Sequence, residues 1–178
     1  GADLVEMTCG GPDVPTPPEL LEAAAQAMHA GRTGYSDGRG EAHLRAALAD
    51  SYSTSRGRKF GPENILCFPG TQTALNAVLQ GVAEPGTEVL AGDPMYATDE
   101  GVIRASGAEM VPVPLRPEAG FRMQASDLAA RITPRSRAIL LTTPDNPTGA
   151  ILTAQDLREI GELAVQHDLW IISDEVYE

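Results

Sequence analysis

Four short segments of this 178-residue chain combine side chains that seldom serve packing alone. In Ser173-Asp174-Glu175-Val176-Tyr177 a carboxylate follows directly on the apolar run Trp170-Ile171-Ile172. A carboxylate leaving so apolar a strand is costly to bury unless a cation or a donor meets it, so Asp174 is expected to hold one. Its plainer reading is a surface charge at a strand end. In Pro144-Asp145-Asn146-Pro147-Thr148-Gly149 two prolines and a glycine set a turn and aim the amide of Asn146 in one direction. As a plain turn it needs no function. Pro69-Gly70-Thr71-Gln72-Thr73 runs from a glycine turn into a helix start, where free N–H groups and the positive helix end suit a phosphate or another anion. The same residues also make an ordinary cap. Gly92-Asp93-Pro94-Met95-Tyr96 supplies an aromatic ring able to stack on a flat ligand, or simply to close the top of a core.

The elements that carry these segments can be read from periodicity. Short apolar runs at Ile65–Phe68, Glu88–Ala91, Met110–Val113, Ala138–Thr142 and Trp170–Ser173 predict five strands. Helices are predicted over Glu19–Ala30, Glu41 to about Ser53, Thr73–Val82, Thr98–Ala105, Ser126–Arg131 and Ala154–His167. Several strand runs are almost continuously apolar, as strands are when helices cover both faces of a parallel sheet. The predicted class is therefore α/β, with an open, mostly parallel sheet. In such sheets ligands bind beyond the carboxyl ends of the strands, where the four segments fall. Residues 1–18 are rich in glycine and proline and predict an extended arm, and Tyr35–Gly40 predicts a glycine-rich loop.

Length and composition indicate one compact unit by default, with 42% hydrophobic and 21% charged residues. A formal net charge of −12, without a separate basic block, argues against nucleic acid as a partner. No apolar run approaches the ~20 residues that cross a bilayer, and no signal peptide is recognisable, so a cytoplasmic protein is expected. Cys9 and Cys67 have neither metal-ligand nor disulfide spacing and are read as small packing residues. Of the 13 basic residues twelve are arginine, and Lys59 is the one lysine.

In order and separation, the four segments resemble the class I and II aminotransferases, pyridoxal-phosphate enzymes with the aspartate aminotransferase fold. Asn146-Pro147-Thr148-Gly149, followed about two dozen residues later by Ser173-Asp174-Glu175-Val176-Tyr177, carries most of the likeness. The resemblance implies that Asp174 pairs with the pyridine nitrogen of the cofactor. It implies that Asn146 and Tyr177 donate to its phenolic oxygen and that Tyr96 stacks on its ring. Thr71 and Gln72 would offer backbone N–H groups to its phosphate, and Tyr35 would reach the phosphate of a neighbouring subunit in a homodimer. Gly10 looks like the glycine whose backbone approaches the substrate carboxylate. The substrates implied are an amino acid and a 2-oxo acid.

The family also has a lysine that forms the Schiff base with the cofactor and an arginine that grips the substrate carboxylate, and the resemblance assigns neither to a residue of this chain. Lys59 sits in the polar stretch Ser55–Phe60 and reads as a solvated charge. The expectation is an N-terminal arm at residues 1–18 and a partial cofactor-binding domain at 19–178, belonging to a longer enzyme and inactive in isolation, with exposed apolar surface that promotes association. A carbon–sulfur lyase of the same fold, or a non-catalytic module that binds cofactor or dimerises, are the competing readings. A nucleotide-binding doubly wound domain ranks last, because the chain lacks a Gly-x-Gly-x-x-Gly turn or a Walker-type lysine.

Overall fold

The computed structural model describes residues 4, 5, 7, 10, 11 and 13–177, so Cys9 lies outside the described residues. The chain divides into two compact units, Gly1–Ile65 and Leu66–Glu178, where composition alone indicates one.

In the first unit the described residues of the predicted arm up to Pro17 contain neither helix nor strand, and Pro18, its predicted last residue, already opens a helix. Helix α1 spans Pro18–His29, with proline in its first turn, where the missing N–H costs nothing. Helix α2 spans Ala42–Arg56 and runs three residues beyond its predicted end, stopping at Gly57 in the left-handed conformation (φ 60°). The buried Arg45 ties this unit together by donating to the carbonyls of Gly40 (3.1 Å) and Pro62 (3.0 Å). In the loop before α2, the Asp37 carboxylate accepts from the backbone and the guanidinium of Arg39, which hold it well below the usual carboxylate range.

The second unit is a parallel four-stranded sheet in the order β2-β1-β3-β4, built from β1 (Glu88–Asp93), β2 (Glu109–Pro114), β3 (Ser136–Thr142) and β4 (Trp170–Asp174). Its helices are α3 (Thr71–Val82), α4 (Asp99–Ala105), α5 (Ala125–Ala129) and α6 (Ala154–Gln166). Side chains alternate across the central strands. Val89, Ala91, Ala138 and Leu140 join Leu75, Leu79 and Ile103 in one core cluster. Leu90, Ile139 and Leu141 join Leu128, Ile160 and Ala164 in a second. Both faces of β1 and β3 are thus covered, which is why their sequences are continuously apolar.

One predicted strand is not formed. Ile65–Phe68 is not a strand: Ile65 has extended dihedrals, but the run pairs with no strand among the described residues, and Leu66 and Phe68 are solvent-exposed. Propensity sets the extended backbone, while a ladder also needs a neighbour to exchange hydrogen bonds with. Strand β4 is not covered on both faces. As an edge strand it leaves Trp170 60% and Ile171 41% exposed, and only Ile172 is buried.

Candidate functional site

The carboxyl ends of β1, β3 and β4 and the start of α3 carry the residues singled out by their chemistry. Strand β3 ends at Thr142, whose register partner on β4 is Asp174. The segment 145–150 that follows β3 closes on itself. Asp145 N–H donates to the Ala150 carbonyl (2.9 Å), and Gly149 N–H donates to that of Asp145 (2.8 Å). The Asp145 carboxylate accepts from the Thr148 N–H (3.2 Å) and from its hydroxyl. The carboxylate of this turn therefore serves the turn itself, and Asn146 is left to face outward.

Asn146 Nδ2 donates to the Tyr177 phenol oxygen at 3.2 Å. Thirty-one residues of chain separate the two, so the sheet brings together groups that the sequence keeps apart. Because the amide donates and the phenol oxygen accepts, the phenol proton and the second amide proton both remain for a third group. Asp174 lies on the same strand end. Its carbonyl accepts from Thr143 N–H (3.2 Å), and its carboxylate accepts from Val176 N–H (3.0 Å). It is half-buried, and its bond to Val176 meets only part of its capacity as an acceptor.

Helix α3 begins after Gly70, whose φ of 91° suits only glycine, and no side chain caps it. The Thr73 hydroxyl turns back to the Pro69 carbonyl (3.0 Å), so the first-turn N–H groups of Thr71 and Gln72 stay available to an anion. Tyr96 follows β1 and is 41% exposed. Tyr35 and Gly10 belong to the first unit, where both are exposed, and Lys59 in the same unit is exposed as well.

The sequence reading missed one residue at this end of the sheet. Asp99, the first residue of α4, is only 3% exposed, and it receives a hydrogen bond from Gln72 Nε2 at 3.4 Å. It lines a cavity of about 30 Å³ with Met95, Leu115, Met123, Thr142 and Asp145, room for water rather than a substrate. Burial raises its pKa above the usual carboxylate value, the Gln72 bond opposes this, and the charges of Asp174 and Asp145 add to the rise. In the sequence Asp99 is one of the acidic residues common in first helical turns, so nothing marked it.

The family described as aminotransferase class I and II matches residues 2–178. The chain belongs to that family. It is 44% identical over 177 residues to the arginine–pyruvate transaminase of Pseudomonas aeruginosa, covering 99% of this chain and 45% of that protein. It is 36% identical to the aspartate/prephenate aminotransferase of Thermus thermophilus, covering 100% of this chain and 46% of that one. Among solved structures, the aspartate aminotransferase from Thermus thermophilus with maleate superposes with a TM-score of 0.92 at 36% identity, over 96% of this chain and 45% of that one. The N-succinyldiaminopimelate aminotransferase from Mycobacterium tuberculosis gives 0.90 at 41% identity, over 96% and 45%. The chain thus spans somewhat under half the length of these relatives, and its α/β architecture is that of the aspartate aminotransferase fold. No helix among the described residues is long and apolar enough to cross a membrane.

Proposed function

We propose that this chain forms one wall of a pyridoxal 5'-phosphate site in an enzyme that moves an amino group from an amino acid to a 2-oxo acid. The observation that carries the reading is the convergence at the ends of β3 and β4, where Asn146 and Tyr177 meet at 3.2 Å beside the half-buried Asp174. The donor set fits the cofactor. Asp174 is an anion for a protonated ring nitrogen, Asn146 and Tyr177 are two donors for a phenolic oxygen, and the uncapped start of α3 offers the N–H groups of Thr71 and Gln72 to a phosphate. Tyr96 is the ring available for stacking. When bound, this group supplies an electron sink for the carbanion left at the substrate α-carbon.

The residues of this chain orient and charge the group rather than move the substrate proton. Asp174 would keep the ring nitrogen protonated, and the Asn146–Tyr177 pair would orient the group through its phenolic oxygen. Gly10 would approach the substrate carboxylate, and Tyr35 would contribute to the phosphate site of a second copy in a cytoplasmic homodimer. The exposure of both residues leaves them free for such contacts.

The family resemblance gives Lys59, the one lysine, no anchoring role, and the chain spans 45% of its Pseudomonas aeruginosa relative, so the anchoring lysine is to be sought in the longer protein. The same observation favours a second reading for the isolated chain, which would hold cofactor without turnover. Arginine with pyruvate is the first donor and acceptor pair to assay, because the Pseudomonas aeruginosa relative bearing that name is 44% identical. The test has two parts. Titration of the 178-residue chain with pyridoxal phosphate should give saturable binding that Asp174→Ala weakens at least tenfold. The longer protein should consume a 2-oxo acid in step with the amino acid. Release of pyruvate and a thiol without an acceptor would mark a carbon–sulfur lyase instead, and absence of binding to the 178-residue chain would defeat the reading.

A further inference from the structure

Arg45 is a buried cation that none of these roles uses. It is the fourth residue of α2 and only 7% exposed. A positive charge there is costly twice over, because it has left water and lies near the positive end of the helix dipole. All three guanidinium nitrogens are engaged. Nε donates to the Gly40 carbonyl at 3.1 Å, Nη1 donates to the Pro62 carbonyl at 3.0 Å, and Nη2 stands 4.0 Å from the Asp37 carboxylate. Two of these contacts fall on the loop 35–40, which begins with Tyr35.

The loop is braced from within as well. Gly40 N–H donates to the Asp37 carbonyl at 2.8 Å, and the Ser36 hydroxyl donates to the same oxygen at 3.1 Å. The Asp37 carboxylate accepts from the Arg39 N–H and from its guanidinium, each at 2.9 Å. The side chains of Arg39 and Asp37 are 62% and 43% exposed, so that pair alone is a solvated brace of little strength. A loop with glycine at 38 and 40 costs entropy to order. The buried member of the network is Arg45, whose planar fork of donors ties Asp37 and Gly40 to α2 and to the turn at Pro62. Tyr35 itself is fully exposed, so an ordered loop presents its phenol to solvent rather than to the core.

We propose that Arg45 is a positioning residue that, through Gly40 and Asp37, fixes the loop from which Tyr35 reaches the cofactor phosphate of a second copy. This deepens the proposed function and rests on it for what Tyr35 contacts; how the loop is held rests on the geometry of the first unit alone. A loop already fixed presents the phenol without the entropy cost of ordering it on contact. A loosened loop presents the same phenol less often. Arg45 therefore acts on the phosphate only through Tyr35, and its loss adds nothing once the phenol is gone.

The longer protein tests this with and without pyridoxal phosphate. Without cofactor, residue-resolved amide hydrogen exchange should speed about tenfold at Arg39 and Gly40 in Arg45→Gln, while the α2 amides from Ala49 to Arg56 keep their rates. Arg45→Lys keeps the charge and the apolar stem but not the fork, so it should free the same two amides by a smaller factor, and it carries the test if Arg45→Gln does not fold. Unchanged exchange at Arg39 and Gly40 in the folded variant overturns the proposal. With cofactor, Tyr35→Phe should raise the Kd for pyridoxal phosphate about tenfold, as for loss of one hydrogen bond to a charged acceptor. The Arg45 variant should raise it by a smaller factor, and in the Tyr35→Phe background it should add less than about twofold. Losses that multiply would mark a general structural role and also overturn the proposal. A Kd unmoved by Tyr35→Phe removes the link to the phosphate, and the exchange rates then still decide whether Arg45 holds the loop. If the longer protein binds no pyridoxal phosphate at all, it is the proposed function that fails.

Discussion

The pair formed by Asn146 and Tyr177 allows a quantitative test by a double-mutant cycle on cofactor affinity. The structure sets the arithmetic. The amide donates to the phenol at 3.2 Å, leaving one proton on each group for a shared acceptor, and Tyr177 is 56% exposed. A hydrogen bond to a charged acceptor contributes about 1.5–3 kcal/mol, and partial exposure favours the lower end. Tyr177→Phe and Asn146→Ala should each cost about 1.5 kcal/mol, or roughly tenfold in Kd for pyridoxal phosphate. Because each variant also removes the bond that orients the other residue, the double variant should lose less than the product of the two. The coupling energy expected is on the order of 0.5–1 kcal/mol. Fluorescence or absorbance titration of the four proteins at constant salt measures it. Strict additivity would mean that the two residues do not act as one unit, and single losses below twofold would mean that they do not face the cofactor.

Three further outcomes bear on the fold and its charges. Leu79→Ala, at a side chain 1% exposed in the cluster between α3 and the sheet, should cost about 2–5 kcal/mol in urea unfolding; a loss under 1 kcal/mol would deny that this cluster is a packed core. Thr153→Ala should cost about 1 kcal/mol, because Thr153 caps α6 through the Asp156 N–H (3.1 Å) while Asp156 returns a bond to the Thr153 N–H (2.8 Å); an unchanged unfolding midpoint would show that solvent replaces the cap at no cost. Asp99→Asn should alter the pH dependence of stability with a defined sign. The folded-state value of Asp99 is raised, so the unfolded chain loses this proton first, and the wild type is penalised progressively as pH climbs from the unfolded value through the folded one. The melting-temperature difference between Asp99→Asn and wild type should grow across that window and level off above it, and a constant difference from pH 3 to pH 7 would refute the assignment.

Much of this architecture was legible in the chain itself. Periodicity located the six α-helices found among the described residues and four of the five predicted strands within a few residues, because a two-residue or 3.6-residue pattern is a local consequence of which faces are buried. The continuous apolar character of Val89-Leu90-Ala91 and Ala138–Leu141 reported that both faces of β1 and β3 are covered. Chemistry was legible where it depends on residue type and chain order. Gly70 before a helix start, and the spacing from Asn146 to Asp174 and Tyr177, identify a family because they recur as a set.

What the tertiary structure decided is everything that depends on a neighbour distant in sequence. Ile65–Phe68 has the propensity of a strand, but no ladder partner makes it one. Strand β4 reads like β3, but its place at the edge exposes Trp170 and Ile171. Asn146 and Tyr177 are separate features of the sequence and become one hydrogen-bonded unit only when β3 and β4 lie side by side. Asp99 looks like a routine first-turn acid until the ends of β1 and β3 bury it beside Asp145 and the α3 amide of Gln72. Residue type states which interactions a group is capable of. Burial, and the charges that burial forces together, depend on packing between segments far apart in the chain.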